Sequence, residues 1–131
     1  MILVDSSVWI DFLVGADNPE TEYLSQAMES EVPIFYTGII LQEVLQGFLK
    51  QKQQALIRSE FQKLLQVTPS LEDHIFGAEI YTKCRSQGFT VRKSIDCLIA
   101  ALALEYQLSL LDRDKGFEAI ATCVPLRRVM K

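Results

Sequence analysis

Four acidic residues could carry chemistry because each adjoins a strongly apolar segment of the chain: Asp5, Glu43, Asp96 and Asp114. A buried, unpaired charge is costly, so carboxylates in such surroundings usually serve a purpose. Carboxylates that share a pocket repel each other by about 3 kcal/mol per pair at ~5 Å and an effective dielectric constant of ~20. A divalent cation removes this penalty, and an all-oxygen site without His or Cys suits Mg²⁺ or Mn²⁺. Such ions bind phosphate oxygens, lower the pKa of a bound water and steady an in-line displacement, which predicts metal-dependent phosphodiester hydrolysis.

Each acid taken alone also has a purely structural explanation. Asp5 could cap a helix, and Asp96 suits the positive first turn of the helix that it opens. Glu43 could be a solvated helix residue and Asp114 a turn residue. Their shared placement beside predicted strands and apolar helices is what favours a common site over four unrelated roles.

Short apolar segments that alternate with helical patterns predict an α/β sandwich with a mostly parallel central sheet. Strands are predicted at 2–4, 34–37, 66–68 and 108–111, with a last edge strand at 124–129. In a parallel sheet the ends that follow the strands lie on one edge, so Asp5, Glu43 and Asp114 are expected to converge there. A helix that returns to the sheet can bring Asp96 to the same edge. The length predicts a single domain, residues 1–131.

The helix boundaries carry their own signals. Ser6 or Ser7 is predicted to cap the first helix, which Gly15 ends. Ser94 is predicted to cap the strongly apolar helix that contains Asp96. The aromatic Trp9 fits the core better than a surface for a partner.

Composition excludes several classes of protein. The net charge of −4 argues against a passive nucleic-acid binder, which is usually basic. No apolar run approaches the ~20 residues of a membrane span, and the N-terminus lacks the features of a signal peptide. Cys84, Cys97 and Cys123 are odd in number and form no C-x-x-C pair, which favours buried, reduced thiols in a cytoplasmic protein. His74, the only histidine, has no patterned partner and is expected to be an ordinary side chain.

Four segments together resemble the successive motifs of PIN-domain ribonucleases, and most closely those of VapC-type toxins from toxin–antitoxin pairs. They are Val4-Asp5-Ser6-Ser7-Val8-Trp9-Ile10-Asp11-Phe12-Leu13, Gln42-Glu43-Val44, Asp96-Cys97-Leu98-Ile99-Ala100-Ala101-Leu102-Ala103 and Leu110-Leu111-Asp112-Arg113-Asp114-Lys115-Gly116-Phe117. The resemblance covers essentially the whole chain. It implies a three-layer PIN fold with a parallel sheet of about five strands. It also implies a Mg²⁺- or Mn²⁺-dependent endoribonuclease, usually a homodimer, that a VapB-type antitoxin neutralises.

By this resemblance the acidic metal site consists of four residues: Asp5, Glu43, Asp96 and Asp114. Ser6 is implied as the hydroxyl neighbour that bonds to a site carboxylate or a metal water. The last motif departs from the family's pattern at two positions. Asp112 stands where a Thr or Ser is common and could act as an outer-sphere substitute, and Gly116 stands where a further Asp is common.

Basic residues near these motifs are candidates for RNA contacts: Arg92, Lys93 and Arg113. Arg92 and Lys93 precede the helix of Asp96, where they could also balance the acids or simply be solvated.

Three alternatives to a toxin ribonuclease stay open from the sequence. The first is a PIN-domain nuclease that processes RNA without an antitoxin. The second is a non-enzymatic receiver domain, against which stands the lack of an acid after the third strand. The third is a phosphatase with an aspartyl nucleophile, against which stands Ser7 where a second Asp is needed.

Overall fold

The computed structural model describes all residues from Met1 to Lys131 and has an α/β architecture. The strands are β1 (Ile2–Val4), β2 (Ile34–Tyr36), β3 (Leu65–Gln66) and β4 (Ser109–Leu111). The helices are α1 (Ser6–Leu13), α2 (Pro19–Glu29), α3 (Gly38–Gln46), α4 (Gln51–Phe61), α5 (Leu71–Ser86), α6 (Ser94–Glu105) and α7 (Gly116–Cys123). None of the seven helices combines the length and hydrophobicity that crossing a lipid bilayer requires.

The strands form one parallel sheet in the order β3-β2-β1-β4, which confirms the predicted fold class. Ile2 pairs with Ile34 between β1 and β2, and Phe35 pairs with Leu65 between β2 and β3. All three residues of β1 are buried, as the uninterrupted apolar run predicts for a parallel strand that is covered on both faces.

The predicted fifth strand at 124–129 is wrong. This segment forms only an isolated parallel bridge between Leu110 and Arg128, through one backbone hydrogen bond on either side. Pro125 has no N–H to donate, and the N–H of Leu126 turns back to the carbonyl of Val124 at 2.7 Å. Pairing is therefore confined to one residue, and the sheet has four strands.

The chain divides into two compact units, one formed by Met1–Thr68 with Leu111–Arg113 and the other by Pro69–Leu110 with Asp114–Lys131. They are called unit 1 and unit 2 below. An aromatic cluster lies in the core of unit 1. The ring of Trp9 lies 4.9 Å from that of Phe61, and the ring of Tyr36 packs edge-on against Phe61 at 5.2 Å. Trp9 is 3% exposed, which confirms it as a core residue.

Unit 2 is built around α6, whose residues from Asp96 to Ala103 are all buried. Helix α5 packs closely on it because Gly77 has no side chain: a Cβ there would lie 3.3 Å from the backbone of Leu98. The three cysteines of the chain are free and buried in this unit, as predicted: Cys84, Cys97 and Cys123. Burial raises the pKa of Cys84 to about 12 and that of Cys97 to about 11, so these thiols are inert packing groups.

Candidate active site

Asp5 lies between β1 and α1. Its backbone is extended, its N–H donates to the carbonyl of Leu111 at 2.9 Å, and its side chain caps α1. The Ser7 hydroxyl donates to Asp5 Oδ2 at 2.7 Å, and the Ser7 N–H donates to the same oxygen at 3.4 Å. The predicted cap at Ser6 or Ser7 is wrong because both serines already lie within the helix, whereas Asp5 is the last extended residue.

Asp5 is 4% exposed, and this burial raises the pKa of its carboxyl. The hydrogen bonds from Ser7 lower the pKa in part, and the negative charge of Glu43 raises it further. Asp5 is thus a poorly solvated carboxyl beside a second acid, an environment in which a cation would stabilise the ionised form.

Glu43 lies in the second turn of α3 and reaches the same region of unit 1. The Ser6 hydroxyl donates to Glu43 Oε1 at 3.1 Å, so this serine bonds to a candidate site carboxylate. Two adjacent hydroxyls therefore hold two different acids, with Ser6 on Glu43 and Ser7 on Asp5. Asp112, which follows β4, is fully buried in unit 1.

In unit 2, Asp96 and Asp114 converge at Gly116. Asp96 is 4% exposed in the first turn of α6, and Asp114 precedes α7. A Cβ atom at position 116 would lie 2.8 Å from Asp96 Oδ2 and 3.3 Å from Asp114 Oδ1. The glycine leaves room for both carboxylates, and any side chain at this position would displace one of them.

Asp114 is surrounded by donors and positive charge. Burial alone would raise its pKa. The Gly116 N–H, which donates to Oδ1 at 2.9 Å, and the Lys93 ammonium, which lies 3.0 Å from Oδ2, together hold the pKa below its ordinary value. The charge of Arg128 acts in the same direction. These contacts favour the ionised form of Asp114.

The three basic candidates for RNA contacts have different surroundings. Lys93 pairs with Asp114. Arg113 pairs through Nη1 with Asp11 and lies through Nε 3.6 Å from Glu20, so it links the segment after β4 to α1 and α2. Arg92 is exposed and lines a shallow surface groove of about 590 Å³ in unit 2.

The donor set fits a hard divalent cation. No three His, Cys, Asp or Glu side chains are gathered closely enough to hold a metal ion by themselves. Mg²⁺ does not require such a cage, since it commonly keeps several waters and binds one or two carboxylates together with substrate phosphates. The oxygens of Asp96 and Asp114 that face Gly116 are a pair of this kind, and all the candidate ligands are carboxylates.

Sequence reasoning missed the roles of Ser7 and Gly116. Ser7 was visible only as a possible helix cap, although its spacing of two residues from Asp5 is that of a side chain that bonds back to an N-cap acid. The family pattern marks Gly116 only as a position where a further Asp is common, and nothing in the sequence indicates that Asp96 fills the space beside it.

Comparison with known proteins places these residues in a family. The sequence model of the PIN-domain family matches residues 2–122 of this chain. The chain is 30% identical over 133 aligned positions to Ribonuclease VapC11 of Mycobacterium tuberculosis, with 97% of this chain and 96% of that protein covered. The chain therefore belongs to the PIN-domain family, and within it to the VapC-type proteins.

Solved structures agree on the fold. The chain aligns with VapBC2 from Rickettsia felis, bound to a DNA fragment from the promoter, with a TM-score of 0.74, 18% identity and coverage of 98% of this chain and 97% of that chain. It also aligns with a toxin–antitoxin complex from Klebsiella pneumoniae with a TM-score of 0.71, 23% identity and coverage of 89% and 90%.

Proposed function

We propose that this protein is a Mg²⁺- or Mn²⁺-dependent endoribonuclease and the toxin of a VapBC-type pair. The observation that carries the proposal is the convergence of Asp96 and Asp114 at Gly116, inside a chain whose relative VapC11 is named a ribonuclease. Membership of the PIN family leaves no basis for the receiver-domain and aspartyl-phosphatase alternatives.

Each residue has a role that its surroundings support. The carboxylates that would hold the cation, directly or through its waters, are those of Asp5, Glu43, Asp96 and Asp114. Ser7 orients Asp5 and Ser6 orients Glu43 through their hydroxyls. When bound, the cation supplies a more acidic water and charge stabilisation for the phosphate. No side chain acts as a nucleophile.

The remaining candidates act around the phosphate. Asp112 is fully buried and supports the site from the outer sphere. Positive charge for the RNA backbone comes from Arg92, Lys93 and Arg113. Contacts to phosphates supply most of the electrostatic affinity of protein–RNA complexes.

Cleavage of a labelled RNA by the purified protein in MgCl₂ or MnCl₂ tests the proposal. Four substitutions should each lower the rate by more than about 100-fold, the typical effect of removing an electrostatic catalytic group: D5N, E43Q, D96N and D114N. The exposed acids Asp17 and Glu79 offer matched controls, and D17N and E79Q should cleave at the wild-type rate. Undiminished cleavage by D5N and D96N would refute the proposed site.

The partner follows from the same proposal. A VapB-type antitoxin should bind the protein and inhibit it, and its gene is expected as a small reading frame directly upstream. Co-expression of the two chains, followed by purification through a tag on one, should give a complex without ribonuclease activity. An active nuclease with no such neighbouring gene would instead support a role in RNA processing without an antitoxin.

A homodimer is also proposed, because proteins of this type usually pair. Size-exclusion chromatography with light scattering should give about twice the 14.9 kDa mass of the chain. A monomer at micromolar concentration would contradict the dimer and leave the nuclease proposal intact.

A further inference from the structure

The carboxylate of Asp114 already has a cationic partner within this chain. The Lys93 ammonium lies 3.0 Å from Oδ2, and the Gly116 N–H donates to Oδ1 at 2.9 Å. Both oxygens of the carboxylate are therefore engaged. A divalent cation that approaches Asp114 meets an oxygen atom that carries an ammonium group.

The backbone fixes Lys93 close to both acids of unit 2. Lys93 is the residue before α6, and its carbonyl accepts the N–H of Asp96 at 3.0 Å. Its side chain is largely exposed to solvent: 58% of it is exposed, compared with 23% for Asp114. The ammonium is thus tethered beside the acids but can leave without disturbing the core.

We propose that the Lys93 ammonium occupies Asp114 in the metal-free protein and that the divalent cation must displace it. Lys93 is then a positioning residue that sets the metal concentration at which the site fills. This inference rests on the proposed function, because it assigns Lys93 a part in filling the proposed metal site.

The ion pair between Lys93 and Asp114 is weak enough for a divalent cation to displace. A partly exposed lysine–carboxylate pair is weak, because both groups can be solvated and the lysine side chain loses freedom when it pairs. A doubly charged ion with suitable waters can replace it. The pair therefore occupies Asp114 at low metal concentration and weakens metal binding only moderately.

Calorimetric titration of Mn²⁺ into the metal-free protein tests this role without any measurement of activity. K93M should bind Mn²⁺ roughly two- to five-fold more tightly than the wild type, as expected when a partly exposed ion pair no longer competes. K93R keeps the positive charge and should bind like the wild type. K63M, which removes the same charge from the exposed pair Lys63–Glu60, should also bind like the wild type.

A double variant locates the effect on one carboxylate. If Lys93 competes for Asp114, the gain from K93M should disappear in the D114N background. Circular dichroism verifies that each variant is folded, which is expected because Lys93 is exposed.

The outcomes separate the two proposals. Mn²⁺ binding that is equal or weaker in K93M, or an equal gain in K63M, would overturn the role of Lys93 while the metal site stands. Mn²⁺ binding by K93M but not by the wild type would support the role of Lys93. No Mn²⁺ binding by either the wild type or K93M would overturn the proposed metal site and the role of Lys93 with it.

Discussion

Two neighbouring serines donate hydrogen bonds to two different carboxylates. Ser6 donates to Glu43 and Ser7 donates to Asp5, although the two hydroxyls are adjacent in the sequence. The first turn of α1 makes this possible, because successive helical residues point in directions about 100° apart. Asp5 therefore combines two roles, capping α1 and serving as a candidate metal ligand. The structural and functional explanations of this residue are compatible.

Asp5 should reduce the stability of the metal-free protein at neutral pH. Burial raises its pKa above the ordinary value of 3.8, so the folded state binds the proton more tightly than the unfolded chain does. This contribution favours folding below that pH and is lost as the pH rises through the folded-state pKa. We expect D5N, whose neutral amide can still accept from Ser7, to raise the free energy of unfolding by roughly 0.5–2 kcal/mol at pH 7.

Urea unfolding of wild type and D5N across the acidic range measures this effect. The gain should shrink as the pH is lowered through the folded-state pKa of Asp5, because the wild-type carboxyl then takes up its proton as well. A gain that does not change with pH would mean that burial of the charge is not its cause.

Gly116 is expected to be necessary for the placement of Asp96. A Cβ at position 116 would lie 2.8 Å from Asp96 Oδ2, so G116A must shift that carboxylate. We expect metal-dependent cleavage to fall by about 10- to 100-fold, since small displacements of catalytic groups have effects of this size. Gly38 has no atom near its Cβ position, and G38A should cleave normally. A fully active G116A would contradict the proposed role of the Asp96–Asp114 pair.

Helix α6 is buried along most of its length and thereby holds Asp96 of the candidate site in place. Its first turn carries Asp96, and its packing against α5 depends on the close approach at Gly77. The sequence indicated this helix well, since the apolar run with an Ala-rich centre predicts a helix that is packed on several sides. The function of the element follows from its rigidity, because a ligand on a buried helix has little freedom to move.

Substitution at Gly77 should loosen this packing. We expect G77A to lower the free energy of unfolding by about 1–3 kcal/mol, because the new methyl group meets the backbone of Leu98, which cannot rotate away. Thermal unfolding measures the loss. A78L enlarges the adjacent exposed position of α5 and should change stability by less than about 0.5 kcal/mol. Equal losses in the two variants would contradict the close-approach account.

The elements that could be predicted are those with strong local signals. The buried strand β1 and the apolar helix α6 follow from uninterrupted hydrophobic runs. The segment 124–129 could not be predicted, because its pairing depends on which backbone groups Leu110 leaves available. The contacts of Gly116 and Lys93 depend on tertiary proximity and have no local signature.

The distribution of charge over the chain limits how the protein can bind RNA. The chain carries a net charge of −4, and two of its candidate RNA-binding cations, Lys93 and Arg113, are already paired with acids. RNA binding should therefore depend on few phosphate contacts. Affinity for single-stranded nucleic acid falls with salt by a log–log slope of about 0.7 per neutralised phosphate.

The salt dependence of RNA binding tests this view. With at most the three cations Arg92, Lys93 and Arg113 in contact, we expect a slope no steeper than about −2. Fluorescence anisotropy of a labelled RNA with D96N, at fixed Mg²⁺ and varied KCl, measures it without cleavage. A slope near −5 would show that other basic residues form the RNA surface.

Metal-dependent hydrolysis of the phosphodiester bond by water is the central claim, and it is tested most directly by RNA cleavage in H₂¹⁸O with Mg²⁺. At each cleaved bond we expect one ¹⁸O atom in the phosphate of the product that retains it, an unlabelled hydroxyl on the other product, no 2′,3′-cyclic phosphate, and loss of cleavage when EDTA removes the metal. Products that end in a cyclic phosphate, or undiminished cleavage in EDTA, would contradict it.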